Sequence, residues 1–252
     1  MTKQELTKEL LKHRYAHRGL HAKPEVPENS MMAFKRAVDE GFGMELDVHI
    51  TADGKLAEIH DASLKRTCGV DLIIEHITLK EAQIYLLEKS QEKIPEFKDV
   101  LKLVDGKTPL IIELKVGKYA DGSPTYVDLC KAIWKELEGY SGMYCIESFD
   151  PSPVKWFREN HPEIVRGQLA SDLNKEKKDQ PWIINFLMKT LLVNFISKPD
   201  FVAYDVRDKH LLKGQWKGPL FYWTVKEWEE MKDAESKGIA CIFEDYNPKD
   251  YE

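Results

Sequence analysis

The sequence predicts an α/β fold, a single (β/α)8 barrel with a small insertion between its second and third strands. Three observations predict it. Short apolar runs alternate with longer amphipathic ones about eight times along the chain. The length of 252 residues matches the roughly 250 that such a barrel typically uses. No Gly-x-Gly-x-x-Gly follows a strand, so a dinucleotide-binding sheet has no support. Strand counting alone keeps an open, doubly wound sheet as the alternative.

The predicted strands cover residues 15–17, 44–50, 110–115, 143–148, 164–169, 201–204, 220–225 and 239–244. The predicted helices cover 31–40, 125–137, 153–160, 182–196 and 226–236. Gly41 and Gly238 stand where helices stop, because glycine alone adopts the left-handed cap without strain. Alternation of this kind implies parallel strands joined by right-handed crossovers. Residues 56–104 read as the insertion. They are expected to hold a hairpin, with Thr51-Ala52-Asp53-Gly54 as a good turn, and two short helices. No stretch has the composition of a linker or a low-complexity tract, so one domain is expected over residues 1–252.

Composition removes several function classes. The chain is 42% hydrophobic and 32% charged, which excludes intrinsic disorder. Its 14 glycines and 12 prolines follow no period, which excludes a fibrous chain. Against 37 basic residues stand 43 acidic ones, for a charge of -6, and this argues against a nucleic-acid partner. Cys68, Cys130, Cys145 and Cys241 have neither zinc nor redox spacing and read as reduced thiols. The first residues lack the apolar core of a signal peptide, and the expected compartment is cytoplasmic. Sequence offers no reading of the oligomeric state.

One run complicates this picture. It begins at Trp182 and closes at Ile196, strongly apolar but interrupted by Asn185, Lys189, Thr190 and Asn194. A spanning helix needs about 20 apolar residues, and this run is shorter and broken. A core-facing helix is the expectation, ahead of a helix that touches a membrane surface.

In a barrel of this class the chemistry sits at the C-terminal ends of the strands. The first strand ends in His17-Arg18-Gly19, the second carries Glu45-Leu46-Asp47, and the third carries Glu113-Leu114-Lys115. Side chains two apart on a strand share a face. Glu45 and Asp47 therefore point together, as do Glu113 and Lys115, on strands about 5 Å apart. Three converging carboxylates cannot stay buried and ionised without compensation. A divalent cation held by oxygen ligands, Mg²⁺ or Ca²⁺, would compensate them. A structural ion-pair network with Lys115 and Arg18 would do the same, and spacing leaves both open.

His17 and His60 end strands near the same mouth. Either alone reads as an ordinary satisfied histidine; together they can serve as base and acid. Arg18 and Lys115 add the positive charge that suits a phosphate, so the set reads as metal-assisted phosphoryl chemistry. His49 shares the face of Glu45 and Asp47 but is expected to be structural. Pro27-Glu28-Asn29-Ser30 precedes a helix, with Asn29 or Ser30 as its N-cap. Such a helix start also suits an anion.

These motifs occur in a telling order. His17-Arg18-Gly19, Pro27-Glu28-Asn29-Ser30, Glu45-Leu46-Asp47-Val48, Thr51-x-Asp53-Gly54 and His60-Asp61 resemble the signature of the glycerophosphodiester phosphodiesterase family. Ile94-Pro95, Ile112-Glu113-Leu114-Lys115, Ser148-Phe149-Asp150 and Trp223-Thr224-Val225 extend the likeness over almost the whole chain. The resemblance implies a TIM barrel that hydrolyses glycerophosphodiesters to an alcohol and glycerol phosphate. It implies that Glu45, Asp47 and Glu113 hold the cation, and that His17 and His60 form the acid–base pair. Arg18 and Lys115 would bind phosphate oxygens. Glu28 would border the metal or the glycerol hydroxyls, Asn29 would shape that corner, and Trp223 would wall the glycerol moiety. Ser30 replaces the usual Thr, Lys226 a common Asn, and Phe243-Glu244-Asp245 the usual Thr-Asp. A related enzyme reading is a lysophospholipid-cleaving, phospholipase D-like barrel; a reading from another class is a catalytically silent barrel that binds a phosphodiester, against which both histidines and all three carboxylates speak.

Overall fold

A computed structural model describes residues 1–172, 182–212 and 214–252. The chain groups into two compact units, Tyr15–Tyr144 in one and Met1–Arg14 with Cys145–Glu252 in the other.

The first unit is built around β2 (Gly43–Ile50), whose eight residues are all buried. Such a run lacks strict polar alternation because both faces of a parallel strand are covered. On one side β2 pairs in parallel with β1 (Arg14–Ala16), Tyr15 opposite Gly43. On the other it pairs with β4 (Leu110–Leu114), where Asp47 lies opposite Glu113. The hairpin forms as the turn residues predict. β3 (Leu56–Glu58) returns antiparallel, with Ile50 opposite Leu56. Beyond it lie α3 (Lys65–Cys68), a 3₁₀ turn (Ile74–His76), α4 (Leu79–Ala82) and α5 (Phe97–Val104). That is more than the two short helices expected, because one-turn helices leave no 3.6-residue period to read. Ala57, Ile59, Leu64, Ile74, Leu79 and Leu87 belong to one apolar cluster that these pieces enclose.

Two helices complete the first unit. α2 (Met31–Asp39) starts at Ser30, whose hydroxyl accepts from the Ala33 amide, and Gly41 follows it with φ +71°. α6 (Tyr126–Leu137) follows β4.

The second unit opens with α1 (Lys3–Leu10) and continues from β5 (Tyr144–Ser148). Its remaining strands are β6 (Arg166–Ala170), β7 (Phe201–Asp205), β8 (Leu220–Val225) and β9 (Ala240–Phe243), each parallel to the one before. Between them lie α7 (Pro151–Asn160), α8 (Trp182–Lys189), α9 (Asn194–Ser197) and α10 (Trp228–Ser236). α7 begins two residues before its predicted start, because the Asp150 carboxylate caps it by accepting from the Ser152 amide. Apart from β3, the strands are parallel and separated by helices, which is the (β/α)8 class that the sequence predicts. The cysteines of the described residues are all free thiols.

The apolar run is the clear departure. One core-facing helix is expected from Trp182 to Ile196; two helices form, separated by a turn in which Leu191 adopts φ +57°. Ile183, Ile184, Phe186 and Leu192 are exposed, whereas the polar Asn185 is buried. Hydrophobicity in sequence records a demand for cover without saying what supplies it. Among the described residues, no helix is long and apolar enough to cross a membrane.

Candidate active site

The site grows from β2 and β4. Period-two geometry puts Glu45 and Asp47 on one face, and the parallel register sets Glu113 beside Asp47. Glu45, Asp47 and Glu113 are buried, and each offers an oxygen within 4.8 Å of the others. Lys115, just past the end of β4, reaches back. Its ammonium lies 2.9 Å from Asp47 Oδ1 and 2.7 Å from Glu113 Oε1.

β1 delivers the next residues. His17 follows the strand, with Nε2 3.9 Å from Glu45 Oε2. The Arg18 amide donates to that same oxygen at 3.1 Å, and its guanidinium donates to Glu28 Oε1 at 2.8 Å. Its Nε lies 3.4 Å from Asp47 Oδ2. The turn that allows this is tight: Gly19 has φ +78°, and a Cβ there would stand 2.9 Å from the Ala33 carbonyl carbon. Arg18 and Asn29 themselves adopt positive φ, 54° and 51°. Non-glycine residues are held this way where surrounding contacts over-determine them. Here the Asn29 side-chain oxygen accepts from the Asp47 amide at 3.4 Å rather than capping helix α2. Its side-chain nitrogen donates to Asp47 Oδ2 at 2.8 Å, and Ser30 is the N-cap.

Charge explains the protonation pattern. Burial alone would raise the Asp47 carboxyl; Lys115, His60, Arg18 and His17 outweigh it and hold the group well below its usual range. Burial also raises Glu113, with Asp47 adding to the effect and Lys115 opposing it. Burial would lower Lys115, but Asp47 and Glu113 raise it, so it stays an ammonium. Asp47 Oδ1 is buried and makes no hydrogen bond among the described residues despite its close ammonium. An all-oxygen set of three buried carboxylates fits a hard divalent cation.

His60 stands past β3. Its Nδ1 lies 2.6 Å from Asp61 Oδ1, and an ionised Asp61 makes Nδ1 the donor. Asp61 is held ionised chiefly by this bond, against burial and with help from Arg66. Arg66 donates to Asp61 Oδ2 at 2.5 Å and to Glu28 Oε1 at 2.6 Å. Glu28 also pairs with Lys23. Burial would raise Glu28, yet Arg66, Arg18 and Lys23 together pull it down. Arg66, Asp61 and Lys23 carry no role in the sequence reading. Only Asp61 had a signal there, as part of His60-Asp61. His49 is satisfied as expected, by Glu75 at 2.6 Å and the His60 carbonyl at 3.2 Å.

Trp223 belongs to the other unit. It lies on β8 and meets Phe149 edge-on at 5.5 Å.

Glu58 is a further buried carboxyl that sequence reasoning missed. Neither of its oxygens has a hydrogen-bond partner among the described residues. Burial pushes its pKa well up, and Asp47 pushes it further. A carboxyl raised in the folded state contributes stability below its unfolded value of about 4.3, and loses it as pH rises toward the folded value. Glu58→Gln should therefore gain little at about pH 4. Above that its advantage should grow by at most about 1.4 kcal/mol per pH unit until the folded pKa is reached. Thermal melts of both proteins between about pH 4 and pH 8 check this. Parallel curves would show that Glu58 is not held neutral.

Buried acids, strand-end histidines and cations at the ends of parallel strands are the layout of an enzyme of the (β/α)8 class. The profile of the glycerophosphoryl diester phosphodiesterase family matches residues 17–248. A glycerophosphodiester phosphodiesterase of Caldanaerobacter subterraneus is 30% identical over 243 residues, covering 91% of this chain and 92% of that protein. A lysophospholipase D of Rattus norvegicus is 36% identical over 114 residues, covering 40% of this chain and 35% of the relative. The structure of an Oleispira antarctica phosphodiesterase in complex with sn-glycerol-3-phosphate superposes with a TM-score of 0.72 at 20% identity, covering 96% of each chain. The chain belongs to the glycerophosphoryl diester phosphodiesterase family.

Proposed function

We propose that this protein hydrolyses glycerophosphodiesters to an alcohol and glycerol 3-phosphate, as one catalytic domain, with one divalent cation, Mg²⁺ or Ca²⁺, as cofactor. The observation that carries the reading is the convergence of Glu45, Asp47 and Glu113 beside His17, Arg18 and Lys115. Family membership supports the substrate class.

Glu45, Asp47 and Glu113 would hold the cation, which when bound polarises a phosphoryl oxygen as a Lewis acid. Arg18 and Lys115 bind the remaining phosphate oxygens, their charge less fully spent on carboxylates that a cation also neutralises. One of His17 and His60 takes the proton of the nucleophile, water or the glycerol 2-hydroxyl. The other gives a proton to the departing alkoxide. Asp61 orients His60, and Arg66 holds Asp61. Glu28 and Asn29 shape the glycerol side, and Trp223 supplies an apolar wall. The expected compartment remains cytoplasmic.

Arg66→Ala should lower kcat by about 10–100-fold, the usual effect of losing a partner that orients a reacting group. KM should change little, and Arg66→Lys should recover part of the loss. A change confined to KM would remove Arg66 from that role.

Cleavage of a lysophospholipid is the second reading. The lysophospholipase D relative and the exposed apolar run favour it. Turnover of glycerophosphocholine and lysophosphatidylcholine, compared under one set of conditions, tests the choice. The soluble diester is expected to be the better substrate; a strong preference for the lipid would reverse the assignment.

A further inference from the structure

α8 and α9 are amphipathic in the wrong sense for a core. The polar residue faces inward: Asn185 is 2% exposed, and its side-chain amide donates to Asp172 Oδ1 at 2.9 Å. The large apolar residues face outward. Trp182 and Phe195 are 75% and 80% exposed, with Ile183, Ile184, Phe186 and Ile196 also open to solvent. The pair of helices is nevertheless anchored. Met188, Leu191 and Val193 are buried, the Lys189 carbonyl accepts from Tyr204, and the Ile196 carbonyl accepts from Arg158 at 2.9 Å. Contiguous apolar surface on a well-held element marks an interaction site.

Charge identifies the partner. From Trp182 to Lys198 the sequence carries Lys189 and Lys198 and no acidic residue, in a chain with 43 acids. Lys155 and Arg158 of α7 add positive charge nearby, and Glu159 pairs with both. Asp172 Oδ2 lies 4.0 Å from Lys189 Nζ, and Asp172 Oδ1 accepts from Asn185. Protein interfaces are depleted of lysine around their apolar core. Surfaces that lie in a bilayer interface instead combine exposed Trp and Phe with flanking lysines. We infer that α8 and α9 form a peripheral docking surface for an anionic phospholipid bilayer, with Trp182 and Phe195 entering the interface and Lys189 and Lys198 meeting headgroup phosphates.

Flotation with vesicles of phosphatidylcholine mixed with phosphatidylglycerol tests this independently of the activity. The full chain is expected to float with these vesicles, less so with phosphatidylcholine alone, and less so as salt rises. The double variant Trp182→Ser/Phe195→Ser should lose at least about tenfold in bound fraction while keeping its circular dichroism spectrum and melting temperature. Lys189→Glu/Lys198→Glu should lose binding to the anionic vesicles only. Failure of the wild-type chain to float would overturn the inference, as would equal binding by the Trp182/Phe195 variant. A dimer that the Trp182/Phe195 variant dissociates, without vesicle binding by the wild type, would assign the surface to a second copy of the chain instead.

Discussion

Replacing His60 by alanine is expected to cut turnover by about 10²–10⁴-fold while leaving the fold intact, and His17→Ala to do the same. The size follows from the role proposed for each histidine. A positioned acid or base that leaves the reaction typically costs about 3–5 kcal/mol of transition-state stabilisation. The fold should survive because His60 stands past β3, partly exposed, with Asp61 on its Nδ1 rather than a core contact. His17 likewise lies beyond β1, at the edge of the carboxylate cluster rather than within the apolar core. The two roles can be separated by the leaving group. A p-nitrophenyl diester departs without protonation, so it should largely restore turnover in whichever variant has lost the acid. The variant lacking the base should stay slow on both substrates. Near-normal turnover by either alanine variant on glycerophosphocholine would remove that histidine from the mechanism.

Removal of divalent cation is the second large effect. Glu45, Asp47 and Glu113 are buried with oxygens within 4.8 Å of one another, an acidic set that a divalent cation would neutralise. Dialysis against EDTA should abolish activity, and Mg²⁺ or Ca²⁺ should restore it. A Lewis acid typically supplies several kcal/mol of transition-state stabilisation, so the loss should reach about 10³-fold or more. Binding has a readout of its own. A cation at about 100 times its Kd should stabilise the fold by about 2.7 kcal/mol, seen as a higher melting temperature. Asp47→Asn should remove that response. Full activity in excess EDTA, or an unchanged melting response in Asp47→Asn, would contradict the cation assignment.

Much of this site was legible in sequence because it lies on regular strands. Period-two spacing predicts that Glu45 and Asp47 share a face, and the β2–β4 register adds Glu113 at the expected position. The hairpin at Thr51–Gly54 was legible from its turn residues, which act locally. The bridge from Glu28 through Arg66 to Asp61 was not. Glu28 and Arg66 are far apart in sequence, and only tertiary packing sets them 2.6 Å apart. Glu58 was hidden for a related reason: strand spacing gives no sign that a carboxyl will lack a partner. The apolar run failed differently. Its composition called for burial, but the left-handed Leu191 breaks the helix and Asn185 takes the inward place. The acidic excess of the chain also changes meaning. Part of it is a buried cluster whose oxygens could hold a cation, with Arg18 and Lys115 beside it.

The central claim is cation-dependent hydrolysis of glycerophosphodiesters at this cluster. Its most direct test is glycerol 3-phosphate release from a panel of glycerophosphodiesters by one enzyme preparation, before EDTA treatment, after it, and after Mg²⁺ or Ca²⁺ is returned. Release that stops on chelation and resumes with the cation is the predicted result. Undiminished release in EDTA, or no glycerol 3-phosphate from any diester with cation present, would contradict it.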